Sequence, residues 1–316
     1  MHTLRLALLG AVLAAAGCGG SADPTAASGS ATTSPTQPPA TPTATATNAG
    51  TRSEGPAPAP SFVPPTVASF GPTAGTTTAT WDLVALGDSN VAGWGVRADE
   101  PFSPAEAFPG VYADLLADQQ GVGVVIHSYY PDQLGNEVRT VAEWADVVRA
   151  DPAMRADLRG AEIVVVLVGF HDLLGPLVFG GCPGGSSALI ACLDEATAPM
   201  PTAFAELYGE IARLVPDGAT VLVSDYFGLG PLAERWSPDP AWPEIRRAAF
   251  DGWRGALEAA AIAAGFTVVH TSTAMSNSDG RPRWDTANVT SDGLHFNGGG
   301  HRLIAEALLV EDGFAD

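Results

Sequence analysis

The sequence has 316 residues and a net charge of −20, and all 15 of its basic residues are arginine. The strong negative charge argues against nucleic acid as a partner. The lack of lysine excludes a Walker A loop and enzymes that act through a lysine Schiff base, pyridoxal enzymes included. Three cysteines are too few for a zinc site built from thiolates. These exclusions favour an acidic, extracytoplasmic hydrolase or binding protein.

The N-terminus has the pattern of a secretion signal. Arg5 precedes an apolar stretch of 11 residues from Leu6 to Ala16, which is shorter than the roughly 20 residues that span a bilayer. The ending Ala-Ala-Gly-Cys resembles a bacterial lipobox, although Ala15 stands where Leu is usual. We assign residues 1–18 to a lipoprotein-type signal and lipobox, with Cys18 lipidated as the first mature residue. Ordinary signal cleavage nearby, which would give a secreted protein, is the alternative.

A tether is predicted between this signal and the folded part. Residues 21–50 contain only Pro, Thr, Ala, Ser and Gly apart from three positions. Such a composition cannot offset the entropy cost of folding, so residues 19–80 are predicted to be disordered. The 236 residues that follow carry 13 arginines against 33 acidic residues, which accounts for the whole net charge. We therefore place one globular domain at residues 81–316.

Within that domain, short apolar runs alternate with helix-spaced patterns. Five runs predict strands: Trp81–Gly87, Val122–His127, Ile163–Val168, Thr220–Ser224 and Phe266–His270. Five stretches predict helices: Val111–Gln119, Glu137–Val148, Thr202–Leu214, Ile245–Ala264 and His301–Leu309. Gly265 is placed to end the fourth helix. Strict alternation predicts an α/β domain whose parallel sheet is covered by helices on both faces.

Polar residues at both ends of this domain are candidates for catalysis. The first strand runs into Gly87-Asp88-Ser89-Asn90, where active residues gather in an open parallel sheet. Asp292 and His295 lie three residues apart in a turn-prone stretch before the last helix. That spacing allows a carboxylate to hold one imidazole nitrogen while the other acts as a general base. A turn-forming Asp292 beside a surface His295 is the alternative.

These blocks resemble the SGNH hydrolases, also called the GDSL esterase/lipase family. Gly87-Asp88-Ser89 matches the first block, with Asn90 where Leu is frequent, and Asp292-x-x-His295 matches the last. The resemblance covers about residues 81–310. It implies a flavodoxin-like, three-layer α/β/α sandwich whose five-stranded parallel sheet has the order 2-1-3-4-5. It also implies a serine ester hydrolase that forms an acyl-enzyme at Ser89 and needs no cofactor. With the N-terminal signal, this enzyme is expected outside the cytoplasm.

The resemblance further implies an oxyanion hole of three donors. They would be the backbone N–H of Ser89, a glycine of the second block that Gly135 matches best, and an Asn side chain of the third block. Here the third block reads Gly169-Phe170-His171-Asp172, so His171 occupies the Asn position. Neutral imidazole can donate a hydrogen bond, so His171 is predicted to replace Asn. A structural His171, with Asn136 or water as the donor, and a catalytically impaired protein are the alternatives; for Gly135 the alternative is a simple turn glycine.

Two further clusters bear on chemistry. If Cys18 carries lipid, two cysteines remain in an exported protein, and this even number predicts a disulfide between Cys182 and Cys192. Two free thiols are the alternative. A metal site is conceivable at Asp292, His295 and His301. Packing explains His301 on a helix, so no metal site is expected.

The substrate follows less directly from the sequence. A small-molecule or envelope ester is expected, with short-chain acyl or lipid esters favoured over acetyl groups on glycans. A non-catalytic envelope binding lipoprotein is the alternative from another class. Aromatic residues after the strands belong either to the substrate site or to the core: Trp94, Phe227, Trp236, Trp242 and Trp284. The membrane is expected as a partner through Cys18, and a monomer is favoured.

Overall fold

The computed structural model describes residues 79–97, 102–131, 134, 140–174, 182, 186–226, 241–276, 288 and 295–314. The predicted signal, Cys18 and most of the predicted tether lie outside these residues. The strands are Thr80–Gly87 (β1), Gly123–Tyr129 (β2), Ile163–Leu167 (β3), Thr220–Ser224 (β4) and Thr267–Val269 (β5). All pair in parallel in the order β2-β1-β3-β4-β5. The predicted fold class and strand order are confirmed.

Nine helices lie in the described part of the chain. They are Phe108–Gln120 (α1), Val141–Ala150 (α2), Pro152–Gly160 (α3), Phe170–Leu174 (α4), Ser186–Thr197 (α5), Met200–Ala212 (α6), Trp242–Ala263 (α7), Thr271–Ala274 (α8) and Gly298–Glu311 (α9). The five predicted helices correspond to α1, α2, α6, α7 and α9. The sequence analysis missed α3, α4, α5 and α8. Helices α4 and α8 have only five and four residues, which is too few to show a helical period.

Helix boundaries follow from capping. Helix α2 begins four residues later than predicted, because Thr140 and Glu143 form a reciprocal capping box at its N-terminus. Helix α7 ends at Ala263, and Gly265 follows with φ of +79°, as predicted for a glycine after a helix.

Helices cover both faces of the sheet. Every residue of β3 is buried, and successive side chains of a strand point to opposite faces, so neither face is open to solvent there. The connection from β1 to β2 runs one way along the sheet and that from β3 to β4 runs the other. Because such crossovers are right-handed, their helices lie on opposite faces. Accordingly α1 packs on α9, while α6 packs on α2 and α7.

The reversal of strand order positions the candidate site. Strands β1 and β3 are neighbours, and their outgoing connections diverge, which opens a crevice at their carboxyl ends. Gly87 ends β1 opposite Leu167. A Cβ at Gly87 would lie 2.3 Å from Val91 Cγ2 and 2.6 Å from the carbonyl oxygen of Leu167. Only glycine therefore lets the chain turn this closely beside β3.

The structure contains the predicted disulfide. Cys182 and Cys192 are bonded, with their Cα atoms 5.7 Å apart, and the bond ties residue 182 to helix α5. In the chain-entropy account, closing a loop of this length stabilises the fold by about 3 kcal/mol. Among the described residues, no helix is both long and apolar enough to cross a membrane.

Candidate active site

Ser89 lies two residues beyond the end of β1, at the start of a tight turn. The N–H of Ala92 donates to the carbonyl oxygen of Asp88 at 3.1 Å, and the N–H of Trp94 donates to that of Ser89 at 2.9 Å. These bonds wind the chain like the first turn of a helix, which directs the backbone carbonyls of Asp88 and Ser89 into the turn. The Ser89 side chain is only partly buried, so it remains open to a ligand.

His295 meets Ser89 across 206 residues of sequence. Its Nε2 lies 2.9 Å from Ser89 Oγ, within hydrogen-bond distance. A serine hydroxyl beside an imidazole nitrogen is the arrangement of an activated nucleophile and its base, since the imidazole can take the hydroxyl proton as Oγ attacks.

The start of helix α9 holds His295 in place. Asn297 is the N-cap and accepts hydrogen bonds from the N–H groups of Gly299 and Gly300. A Cβ at Gly300 would lie 2.3 Å from the carbonyl oxygen of Asn288, so glycine is required for this close approach. Phe296, directly after His295, is fully buried. The His295 backbone is thus anchored on its C-terminal side.

His301 fastens the first turn of α9 to α1. Its Nδ1 accepts a hydrogen bond from the N–H of Phe108 at 3.1 Å, and its ring stacks on the Phe108 ring. The side chain is fully buried, and burial lowers its pKa from 6.5 to about 3. The predicted packing role of His301 therefore rests on a neutral imidazole that accepts at Nδ1.

Acidification should destabilise the fold through His301. Its pKa is lower in the folded state, so between about pH 6.5 and pH 3 the unfolded chain binds a proton that the folded chain does not. The contribution of His301 to the free energy of unfolding is complete above pH 6.5 and falls by up to about 1.4 kcal/mol per pH unit below it. Asp88 and Asp172, whose pKa values are raised to about 7, act in the opposite direction over the same range, so His301 is isolated by comparing a variant with the wild-type protein. Relative to wild type, the free energy of urea unfolding of His301→Gln should rise as the pH falls from about 7 to 4.5. Leu308→Ala, a buried change in the same helix, should lower stability equally at every pH and keep the wild-type pH dependence; a His301→Gln variant with the wild-type pH dependence would contradict this assignment.

Asn90 joins the two halves of the site, a role that the sequence analysis did not predict. Its side chain is buried, and its Oδ1 accepts from the N–H of Phe296 at 3.4 Å. This bond connects the residue after Ser89 with the residue after His295. Asn90 was considered only as a variable position of the first block, because a contact this distant in sequence has no local signal.

Asp88 is a second buried polar group of the first block. Its Oδ1 accepts from the N–H of Asn90 at 2.8 Å. Burial raises the pKa of its carboxyl to about 7, and the hydrogen bonds of Asn90 oppose that rise. Asp88 thus braces the turn that carries Ser89.

His171 lies in the first turn of α4, four residues beyond β3 and at the same sheet edge as Ser89. Next to it, Asp172 accepts from the N–H of Val141 at 3.0 Å and so caps helix α2. Burial raises the pKa of Asp172 to about 7. Placement at this edge suits the predicted donor role of His171, which stays a prediction.

Two predicted site residues lie outside the described part of the chain. They are Asp292, the expected partner of His295, and Gly135, the expected second oxyanion donor. Their roles stay predictions, as does that of Asn136, the alternative donor.

Of the five aromatic residues considered for the substrate site, Trp94 lies beside His295, which with Ser89 forms the reactive pair. Its ring centroid is 5.6 Å from that of His295. The side chains of the other four are not among those described: Phe227, Trp236, Trp242 and Trp284.

One group of three described side chains has donor atoms close enough for a metal ion, namely Asp225, Glu258 and His270. Both oxygens of Asp225 already accept hydrogen bonds, from Thr271 and from the N–H and hydroxyl of Ser272. Those bonds explain the buried carboxylate as the group that fixes the start of α8.

Comparison with known proteins gives the fold and the family. The profile of the GDSL-like lipase/acylhydrolase family matches residues 85–303. No curated protein sequence matches significantly. The solved structures with this fold include the lipase Lip_vut3 from a goat rumen metagenome, with a TM-score of 0.56, 15% identity and coverage of 73% of this chain and 96% of the other. An extracellular lipase from Streptomyces rimosus has a TM-score of 0.52 and 19% identity, with coverage of 73% of this chain and 99% of the other. A single-residue variant of Axe2, an acetyl xylan esterase from Geobacillus stearothermophilus, has a TM-score of 0.50 and 17% identity, with coverage of 75% of this chain and 97% of the other.

The family match spans well over half of the chain and includes both Ser89 and His295. Both side chains of the hydroxyl–imidazole contact therefore lie within the matched segment. This chain belongs to the GDSL-like lipase/acylhydrolase family, the SGNH hydrolases, and is a serine ester hydrolase.

Proposed function

We propose that the protein hydrolyses carboxylic esters through an acyl-enzyme on Ser89. The observation that carries this proposal is the 2.9 Å contact between His295 Nε2 and Ser89 Oγ. Oγ attacks the ester carbonyl carbon while its proton passes to Nε2, and Nε2 then delivers that proton to the departing alcohol oxygen. Water, deprotonated by the same nitrogen, releases the acid and restores Ser89.

Asp292 would orient the imidazole and stabilise the imidazolium that forms during each step. The oxyanion would be held by the backbone N–H groups of Ser89 and Gly135 together with His171. Preorganised donors of this kind supply much of the rate enhancement in acyl transfer. No metal or organic cofactor takes part in these steps.

For the substrate, we favour esters with a short acyl chain or lipid esters, from small molecules or the cell envelope. Acetyl esters of glycans are the second candidate, supported by an exposed indole beside the reactive pair. A purely binding function has less support, because a hydroxyl within 2.9 Å of an imidazole nitrogen is the geometry that catalysis requires.

A fluorophosphonate probe tests the proposal directly. The probe should label purified protein at Ser89 alone, since that hydroxyl has a base beside it, and mapping by mass spectrometry should locate the adduct. Ser187→Ala, which replaces an exposed serine, is the matched control and should label normally. An adduct at another residue, or normal labelling of Ser89→Ala, would overturn the assignment.

We also propose that the enzyme acts outside the cytoplasm, anchored to the membrane by lipid on Cys18. The support is the short apolar signal that ends at Cys18 and the Pro/Thr-rich stretch behind it. Cys18→Ala should move the protein out of the membrane fraction. Unchanged membrane retention of that variant would contradict the anchor.

A further inference from the structure

Trp94 exposes an aromatic face next to the reactive pair. Its side chain is 39% exposed, and its ring lies 5.6 Å from the His295 ring, centroid to centroid, with the planes tilted by 39°. Trp144 and Trp253, by contrast, are buried in the core. Covering apolar surface is favourable, so an exposed indole at this place provides a surface for an apolar part of a ligand.

The exposed ring is held by an aromatic row made of Trp94, Phe102 and Tyr130. Phe102 meets Trp94 edge-on at 5.2 Å and stacks on Tyr130 at 5.8 Å, and Tyr130 is buried. Gly93 has φ of +75°, and a Cβ there would lie 2.4 Å from the carbonyl oxygen of Ser103. This close approach ties the Trp94 turn to the segment that carries Phe102. A ring fixed in this way loses little freedom when a ligand binds.

The position of Trp94 relative to His295 indicates which half of an ester it meets. In acylation, the bond from Ser89 Oγ to the carbonyl carbon forms as the bond from that carbon to the alcohol oxygen breaks. His295 Nε2 returns the proton to that alcohol oxygen, so the oxygen must come within about 3 Å of Nε2. The ring that lies against the imidazole therefore faces the carbon skeleton of the departing alcohol rather than the acyl chain.

We propose that Trp94 forms the floor of a leaving-group subsite for an uncharged, ring-shaped alcohol, such as a pyranose hydroxyl. This rests on the proposed esterase function and, of its two substrate candidates, favours short acyl esters of glycans over lipid esters. A flat rigid face covers one side of a sugar ring in a single contact, whereas a flexible alkyl chain loses rotamer entropy on the same surface. The net charge of −20 disfavours an anionic alcohol such as a phosphate-bearing headgroup.

Two acetates of primary alcohols test the subsite: methyl 6-O-acetyl-glucopyranoside, which carries a ring, and 2-methoxyethyl acetate, which is acyclic. The wild-type protein should favour the ring ester by about 3- to 10-fold in kcat/KM, the range expected for one stacking contact. Trp94→Ala should reduce that preference to near unity, and Trp94→Phe should keep part of it. Trp81→Ala is the matched control, since Trp81 packs on Phe314 at the other end of β1 and should keep the full preference.

Burst kinetics with 4-nitrophenyl acetate show whether the acyl or the alcohol half is concerned. All acetates give the same acetyl-enzyme, from which the alcohol has departed, so Trp94→Ala should slow acylation far more than deacylation. The subsite would be overturned if Trp94→Ala kept the ring preference, or if acylation and deacylation slowed equally. A burst retained in that case would still support the proposed function. Absence of burst and turnover from the wild-type protein would overturn both.

Discussion

Alanine at Ser89 or at His295 should each lower kcat by a factor on the order of 10⁶, and the double variant should lose no more than either single variant. The reason is the 2.9 Å contact between the two side chains. Without the imidazole the hydroxyl keeps its proton, and without the hydroxyl the imidazole has no nucleophile to activate. Steady-state kinetics on 4-nitrophenyl acetate measure both losses against the wild-type protein.

The controls for this pair are a serine and a histidine elsewhere in the protein. Ser187→Ala changes an exposed serine in α5, and His270→Ala changes an exposed histidine after β5. Both should keep wild-type kcat. Strictly additive losses in the Ser89/His295 double variant would show that the two residues act independently, and that result would contradict the proposed mechanism.

Alanine at His171 should lower kcat by about 10²- to 10³-fold with little change in KM. The lost hydrogen bond is one that strengthens as negative charge develops on the carbonyl oxygen, so its removal affects the transition state more than substrate binding. His171→Asn should retain much of the activity or exceed it, because Asn restores the donor that the family places there.

Comparison of the Ala and Asn variants separates a donor from a structural residue. Asp172, next to His171, caps helix α2, so a structural role for His171 would lower the melting temperature of both variants. Wild-type kcat in both would show that the third oxyanion donor lies elsewhere. Thermal unfolding of each variant is measured alongside its kinetics, so that loss of folded protein is not mistaken for loss of the donor.

The fold class, the family and the pairing of Ser89 with His295 could all be predicted from the sequence. Alternation of buried strands and amphipathic helices is a local pattern, so five strands and five helices were predicted close to their observed positions. The blocks Gly87-Asp88-Ser89 and Asp292-x-x-His295 are likewise recognised from residue types only a few positions apart. The disulfide between Cys182 and Cys192 was predicted from the number of cysteines, because only these two remain once Cys18 is assigned to lipidation.

The contacts that hold these blocks together became visible in the three-dimensional structure. Asn90 bonds the N–H of Phe296, and His301 bonds that of Phe108, and neither pair leaves any sign in local sequence. The same is true of Trp94, whose type suits either a core or a site until its neighbour is known to be His295. Hydrogen bonds and ring contacts between residues so far apart in the chain depend on how the sheet brings its strand ends together. Periodicity and short motifs report only what lies within a turn or two of each residue.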